Sequence, residues 1–305
     1  MKWCKQGLIY SPDGQLWWAK THAIIPTPEL IGGSIRLYHS SCDDMGIGRI
    51  GYIDVAAENP KVILSVSQSP LLDIGLPGTF DENGVLPTSI LTLPDGKKYL
   101  YYVGFELGRK IRYRLLTGLA VSSDGGLTFV KFKQTPILER SSKELHIRGG
   151  SFVMQDQGVF KLWYLAGSHW ISLNGKTQPV YSIHYLESSD GFTWGTEGHE
   201  CLPVTRDDEY GFGRPFVVKE NNAYKMFYSI RKKDTGYRLG YAESNNGVDW
   251  ERKDELLGVE PSLSGWDSQA VCYSSVVAYR NNTYLFYNGN DFGRTGIGYA
   301  ILENE

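Results

Sequence analysis

The chain has 305 residues and only four cysteines, Cys4, Cys42, Cys201 and Cys272, none of them close to another in sequence. That scatter argues against a zinc ribbon, a CxxC redox motif or a disulfide framework, and it suits reduced thiols in a cytoplasmic protein. Long apolar runs are also lacking. No segment approaches the roughly 20 apolar residues of a membrane helix, and the opening MKWCKQGLIYSPDG carries no signal-type apolar core. No charge of one sign dominates: 31 Lys and Arg stand against 34 Asp and Glu, for a net charge of -3. A polybasic nucleic-acid binder or membrane-surface protein is thereby disfavoured, so no nucleic-acid or membrane partner is expected. The six histidines fall at no ligand spacing, and neither a P-loop nor a GxGxxG before a helix is present. No metal and no cofactor are expected. The segment NGNDFGRTG is rich in glycine but connects strands.

Glycine and aromatic residues are plentiful, with 35 Gly, 20 Tyr and 8 Trp. That combination fits short strands joined by tight turns. An internal repeat organises them. RLYHSS, LYYVG, LWYLAG, MFYSIR and LFYNGN place Tyr38, Tyr102, Tyr164, Tyr228 and Tyr287 at spacings of 64, 62, 64 and 59 residues. A second series keeps step: GYID at Tyr52, GLAV at Leu119, HYLE at Tyr185, GYAE at Tyr241 and GYAI at Tyr299. Within each period apolar residues alternate over runs of four to eight, the signature of strands, and helical spacing with capping boxes is absent. From Arg214 to Trp250 four strands are separated by turns at Asn221-Asn222, near Gly236 and at Asn246-Gly247. SSDGGLTF, SSDGFTW and SNNGVDW mark the same turn in three periods.

A four-stranded unit repeated five times predicts an all-β, five-bladed β-propeller. The last period supplies three strands, and residues 1–10, WCKQGLIY among them, are expected to add the fourth and close the ring. Residues 1–305 then form a single domain.

On these repeats the chain resembles the five-bladed glycosidase propellers, glycoside hydrolase families 32, 43 and 130. THAIIPTPELIGGSIRLY, GTFDENGVLPTSI and FYNGNDFGRTGIGYA look like a subgroup placed among polysaccharide-biosynthesis proteins. The resemblance implies a central funnel with the catalytic groups at the starts of the innermost strands. Those entrances carry His22, Asp81, His146 with Arg148, Glu209 with Arg214, and Asp267. Families 32 and 43 place an Asp at the first entrance, an Asp at the second and a Glu on a later blade. Here the first entrance has His22, so the hydrolase triad does not carry over intact.

Asp81, Asp267, His22 and Glu209 are the candidate catalytic residues, with Glu106 a further possible acid. Each carboxylate has an alternative reading as a turn cap or ion-pair partner. Trp170, beside His169, is a candidate sugar platform or a packing residue. Arg49, Arg148, Arg214, Arg231 and Arg294 recur at strand entrances or the connections after them. Guanidinium forks there would select an anionic ligand such as a sugar phosphate, provided they converge on the funnel. The expected function is a carbohydrate-active enzyme acting at a glycosidic or related sugar bond of an anionic substrate. The alternatives are a non-catalytic carbohydrate-binding propeller, or one recruited to lyase, cyclase or transfer chemistry.

Overall fold

The computed structural model describes residues 1–303; residues 304 and 305, the end of the expected domain, lie outside the described residues. The first unit comprises β2 (Thr21–Ile31), β3 (Ser34–Cys42), β4 (Gly48–Ala56) and β5 (Asn59–Val66), all antiparallel in chain order. The second has β6 (Val85–Thr92), β7 (Lys98–Leu107), β8 (Tyr113–Ser122) and β9 (Val130–Lys131). The third has β10 (Ile147–Asp156), β11 (Val159–Leu173), β12 (Lys176–Ser188) and β13 (His199–Leu202). The fourth has β14 (Glu209–Glu220), β15 (Ala223–Lys232), β16 (Arg238–Ser244) and β17 (Glu251–Arg252). Last come β18 (Cys272–Tyr279), β19 (Asn282–Asn288) and β20 (Ile297–Leu302). Onto β20 pairs the N-terminal β1 (Trp3–Tyr10), with Trp3 opposite Leu302 and Tyr10 opposite Ile297. The architecture is all-β and propeller-type.

Register explains the two sequence markers and moves one of them. Tyr102, Tyr164, Tyr228 and Tyr287 stand opposite Gly118, His184, Gly240 and Gly298. In the first unit the residue opposite Gly51 is His39, so the marker there falls on His39 rather than Tyr38. The physical reason for the glycine is space. A Cβ on Gly118 would lie 2.2 Å from the Tyr102 ring, and one on Gly240 would lie 2.3 Å from Tyr228. Tyr102 and Tyr228 thus cross their neighbour strands over glycine, whereas the space above Gly298 is taken by the Trp266 ring, and all four tyrosines deliver their hydroxyls to carboxylates. Tyr102 donates to Asp81 at 2.9 Å, Tyr164 to Glu144 at 2.8 Å, Tyr228 to Asp254 at 2.6 Å and Tyr287 to Asp267 at 2.9 Å. A cation closes each network: Lys131, Arg148, Arg252 and Lys5 respectively.

The Ser-x-Asx-Gly turns join one unit to the one before it. Ser188 Oγ accepts from the Gly191 amide and Ser244 Oγ from that of Gly247, shaping the turns. The carbonyls so presented accept from the preceding unit, Gly191 from Tyr101 at 2.9 Å and Gly247 from Trp163 Nε1 at 2.7 Å. Buried donors find partners there instead of remaining orphaned.

The first strands of successive units are neighbours: β2 with β6, β6 with β10, β10 with β14, β14 with β18, and β18 with β2. Each also carries an extra residue at the same place, so every one is bulged. The irregularities lie between Ile24 and Thr27, Pro87 and Ser89, Gly149 and Phe152, Gly213 and Phe216, and Cys272 and Ser275. A bulge bends the strand and re-aims its side chains, and this set lies beside the site described next.

A candidate ligand site at the inner-strand entrances

Tyr273 sits in the β18 bulge with φ of 54°, and Ile25 in the β2 bulge with φ of 58°; His22 at the start of β2 has φ of 63°. Left-handed backbone at bulky residues costs about 1–3 kcal/mol each and persists where surrounding structure imposes it. Here it turns the Tyr273 side chain toward Tyr237, with ring centres 5.9 Å apart.

Arg231, on β15 and 2% exposed, lies at the middle of this region. Its guanidinium is 4.2 Å from the ring centre of Tyr210 and 4.4 Å from that of Tyr181. Nη1 donates to the Pro179 carbonyl at 2.6 Å and Nη2 to Gln178 Oε1 at 3.3 Å, while Nε has no partner among the described residues. No carboxylate among them neutralises it. Burial pushes the phenols of Tyr181, Tyr237 and Tyr273 well above the ordinary tyrosine value, with Arg231 acting in the opposite sense. They remain hydroxyl donors at neutral pH.

Aromatic contacts extend the wall on both sides. Tyr113 on β8 lies 5.6 Å from Trp170, which lies 6.3 Å from His146. Burial, followed by Arg114 and Arg140, lowers the His146 pKa. On the other side Phe292 lies 5.2 Å from Tyr237. A cavity of about 250 Å³ opens here among Tyr210, Tyr237, Cys272, Asp291 and Phe292. His22 completes the circuit. Burial lowers its pKa, as does Arg294, while Asp291 opposes them. All the strand groups contribute to a site bearing the Arg231 guanidinium, phenol donors, aromatic faces and a neutral imidazole, with the buried Arg214, likewise without a carboxylate among the described residues, beside it.

The structure thus brings together His22, His146, Trp170, Arg231 and Arg294 of the residues singled out from sequence. Arg214 borders them through the Tyr273 carbonyl, and the carboxylates expected in the funnel are each engaged by a partner. Asp81, 1% exposed, is held by Tyr102, by Thr79 at 2.9 Å and by Lys131 at 2.6 Å. Asp267, 2% exposed, is held by Tyr287 and by Lys5 at 2.6 Å. Lys131 and Lys5 come from β9 and β1, the outermost strands, which directs both carboxylates away from the inner strands. Glu209 is buried in a two-point pair with Arg252 at 2.8 and 2.9 Å. Arg148 serves Glu144 at 2.5 Å, and Arg49 serves Asp43 and Asp73 at 2.6 and 2.7 Å. Glu106, partly exposed, pairs with Arg114 at 2.8 Å.

Arg214 is a different case. It is buried in the β14 bulge, where Nη2 donates to the Pro26 and Tyr273 carbonyls at 3.1 Å each, tying three inner strands together. Burial pushes its guanidinium below the ordinary arginine value. His169 is exposed and lines a second cavity of about 500 Å³ with Glu144, Ser182 and His184. Among the described residues no three His, Cys, Asp or Glu side chains converge as a metal ion would require. No helix among them is long and apolar enough to cross a membrane.

Sequence reasoning missed Tyr113, Tyr181, Tyr210, Tyr237, Tyr273, Asp291 and Phe292. The one available signal was Asp291-Phe292-Gly293-Arg294 within the glycine-rich connection, which the site uses as a wall.

No family model matches the chain. It is 31% identical over 305 residues, all of both chains, to the uncharacterised protein Rv1502 of Mycobacterium tuberculosis strain H37Rv. The same identity and coverage hold for MT1551 of strain CDC 1551. Among solved structures, a glycoside hydrolase matches with a TM-score of 0.76 at 19% identity, covering 99% of this chain and 92% of that one. A thermostable family-43 glycoside hydrolase matches at 0.70 and 17%, over 97% and 94%. A structure from the GH130 family of mannoside phosphorylases matches at 0.70 and 15%, over 99% and 94%. Those likenesses are of fold; by sequence the chain belongs to the same family as the Mycobacterium tuberculosis protein Rv1502.

Proposed function

We propose that the chain is a single five-bladed propeller, closed by β1, that binds an anionic sugar at the inner-strand entrances and acts on its glycosidic or related bond. The neighbour relations from β2 round to β18 and back support the closed ring. The observation that carries the ligand class is Arg231, buried between two tyrosine rings with no carboxylate of the described residues beside it. A buried guanidinium gains most from a counter-charge, and a sugar phosphate or uronic acid supplies one together with C–H faces for Tyr210 and Trp170. The phenols of Tyr237 and Tyr273 donate to sugar oxygens. His22, neutral at pH 7, takes the proton from the attacking water or acceptor hydroxyl, and Asp291 is the exposed carboxylate available as its proton-transfer partner.

Glycan cleavage is tested by incubating the protein with acidic oligosaccharides and sugar phosphates and following new reducing ends or released phosphate. Turnover that His22→Asn abolishes while binding persists is the expected result. The second reading, a non-catalytic sugar reader, draws on the engagement of Asp81, Asp267 and Glu209 by Lys131, Lys5 and Arg252. Tight binding of acidic sugars with no product from the whole panel would select it. Equal affinity for neutral and anionic sugars would remove the anionic ligand from both readings.

A further inference from the structure

The third unit departs from its sisters at one position. Where the second, fourth and fifth place Gly118, Gly240 and Gly298 opposite the marker tyrosine, it places His184 opposite Tyr164. The imidazole enters a network of tyrosine, carboxylate and cation that in the sister units contains no histidine. His184 Nδ1 lies 3.3 Å from Glu144 Oε1 and 3.3 Å from the Gly198 carbonyl, and its Nε2 lies 3.1 Å from Ser182 Oγ. Ser182 and His184, two apart on β12, share one face of the strand.

The chemistry of the neighbours assigns the tautomer. Burial alone would raise the Glu144 pKa, but bonds from His184, Arg148 and Tyr164 outweigh it and hold the carboxyl below the usual range. Glu144 is therefore an ionised acceptor, and the Gly198 carbonyl can only accept. The ring proton belongs on Nδ1, which leaves the Nε2 lone pair to accept from the Ser182 hydroxyl. Serine, histidine and carboxylate thus stand in the order and spacing of an activated nucleophile, its base and the group that orients the base. Ser182, His184 and Glu144 all line the cavity of about 500 Å³ whose rim includes Lys143, His169 and Glu200. In the units bearing glycine, the corresponding carboxylate has no base to orient.

We propose that Ser182, His184 and Glu144 form a second reactive site that hydrolyses carboxylic esters of polar alcohols, apart from the Arg231 site. Ser182 Oγ attacks the ester carbonyl carbon while its proton passes to His184 Nε2. The ester C–O bond then breaks, the alcohol leaves with that proton, and an acyl-Ser182 remains. Water, deprotonated by His184, attacks the acyl group, and the carboxylic acid departs as Ser182 recovers its proton. Glu144 stabilises the imidazolium in both halves. Lys143 and Glu200 at the rim favour a short acyl group on a hydrophilic carrier over a long lipid chain.

The test uses the full chain with p-nitrophenyl acetate as substrate and a fluorophosphonate as covalent probe, the adduct being located by mass spectrometry. The expected result is one adduct, on Ser182, and hydrolysis that falls at least about 100-fold in Ser182→Ala. His184→Asn, which retains a polar side chain, should abolish labelling at Ser182 while the protein keeps its native circular dichroism spectrum. Unchanged hydrolysis in Ser182→Ala, no adduct, or an adduct elsewhere would overturn the proposal. Tyr181 lines this cavity and also packs on Arg231, but ester hydrolysis and labelling at Ser182 are read independently of sugar binding, so the two proposals fail separately.

Discussion

The Arg231 guanidinium lies 4.2 Å from the ring centre of Tyr210, near enough for the ring face to stabilise the cation while its Nε stays free of partners among the described residues. A side chain so placed is held rigid before any ligand arrives, which reduces the entropy lost on binding. Arg231→Met keeps most of the buried volume and removes the charge. It should weaken an anionic sugar by about 1.5–3 kcal/mol, roughly tenfold to a hundredfold, and leave neutral glycosides nearly unaffected. Calorimetry with glucuronate, a hexose phosphate and a neutral glycoside decides it.

His22 titrates below the ordinary histidine value because burial, and then Arg294, disfavours its charged form. The fold therefore binds this proton less well than the unfolded chain does. Its contribution to stability is present above the unfolded pKa near 6.5 and is lost as pH falls through the folded value. Arg294→Gln should move the His22 pKa upward, as read from its ring protons by NMR. Any His22-dependent turnover should lose its acid limb at a correspondingly higher pH. An unmoved titration would show that Arg294 does not act on His22.

Asp267 and Lys5 connect the end of the chain to its beginning. Burial would raise the Asp267 pKa, but Lys5, Ser262 and Tyr287 outweigh it and hold the carboxyl low. The stabilisation is thus complete above the ordinary value near 3.8 and disappears as pH falls below it. Lys5→Met should cost about 1–3 kcal/mol at neutral pH by leaving a buried carboxylate short of its cation, and the loss should shrink at low pH. Deleting residues 1–10 removes that cation together with the β1 partner of β20, and should yield aggregating protein or a markedly lower melting temperature. A truncated chain as stable as the whole would refute the closing role of β1.

The strands were legible because alternation and turn residues are local, and each unit repeats the same local solution. The site was not, for a reason visible in one residue type. Tyr102 and Tyr273 look alike in sequence, yet one crosses Gly118 to reach a buried carboxylate and the other is turned into the ligand site by a left-handed bulge. The partners of Asp81 were hidden for a related reason. Asp81 precedes an inner strand, but the ring that captures it lies across the sheet and its cation comes from β9, contacts that close only in three dimensions. The histidine of HYLE, by contrast, stood in plain view as the one break in a series that otherwise places glycine at this position.

That glycine series makes a sharp stability prediction. A Cβ on Gly118 would meet the Tyr102 ring at 2.2 Å, whereas one on Gly33 meets nothing within 4 Å. Tyr102 cannot retreat, since its hydroxyl is bonded to Asp81 and its ring stacks on Phe80 with centres 6.0 Å apart. Gly118→Ala should therefore destabilise by about 3 kcal/mol, the upper part of the range for overpacked cores, while Gly33→Ala stays within about 0.5 kcal/mol of the parent. Tyr102→Ala should rescue Gly118→Ala in part, because the double variant removes the clash although it loses the ring. Denaturant melts of the four proteins measure the coupling, and strict additivity of the Gly118 and Tyr102 changes would show that the ring does not dictate the glycine.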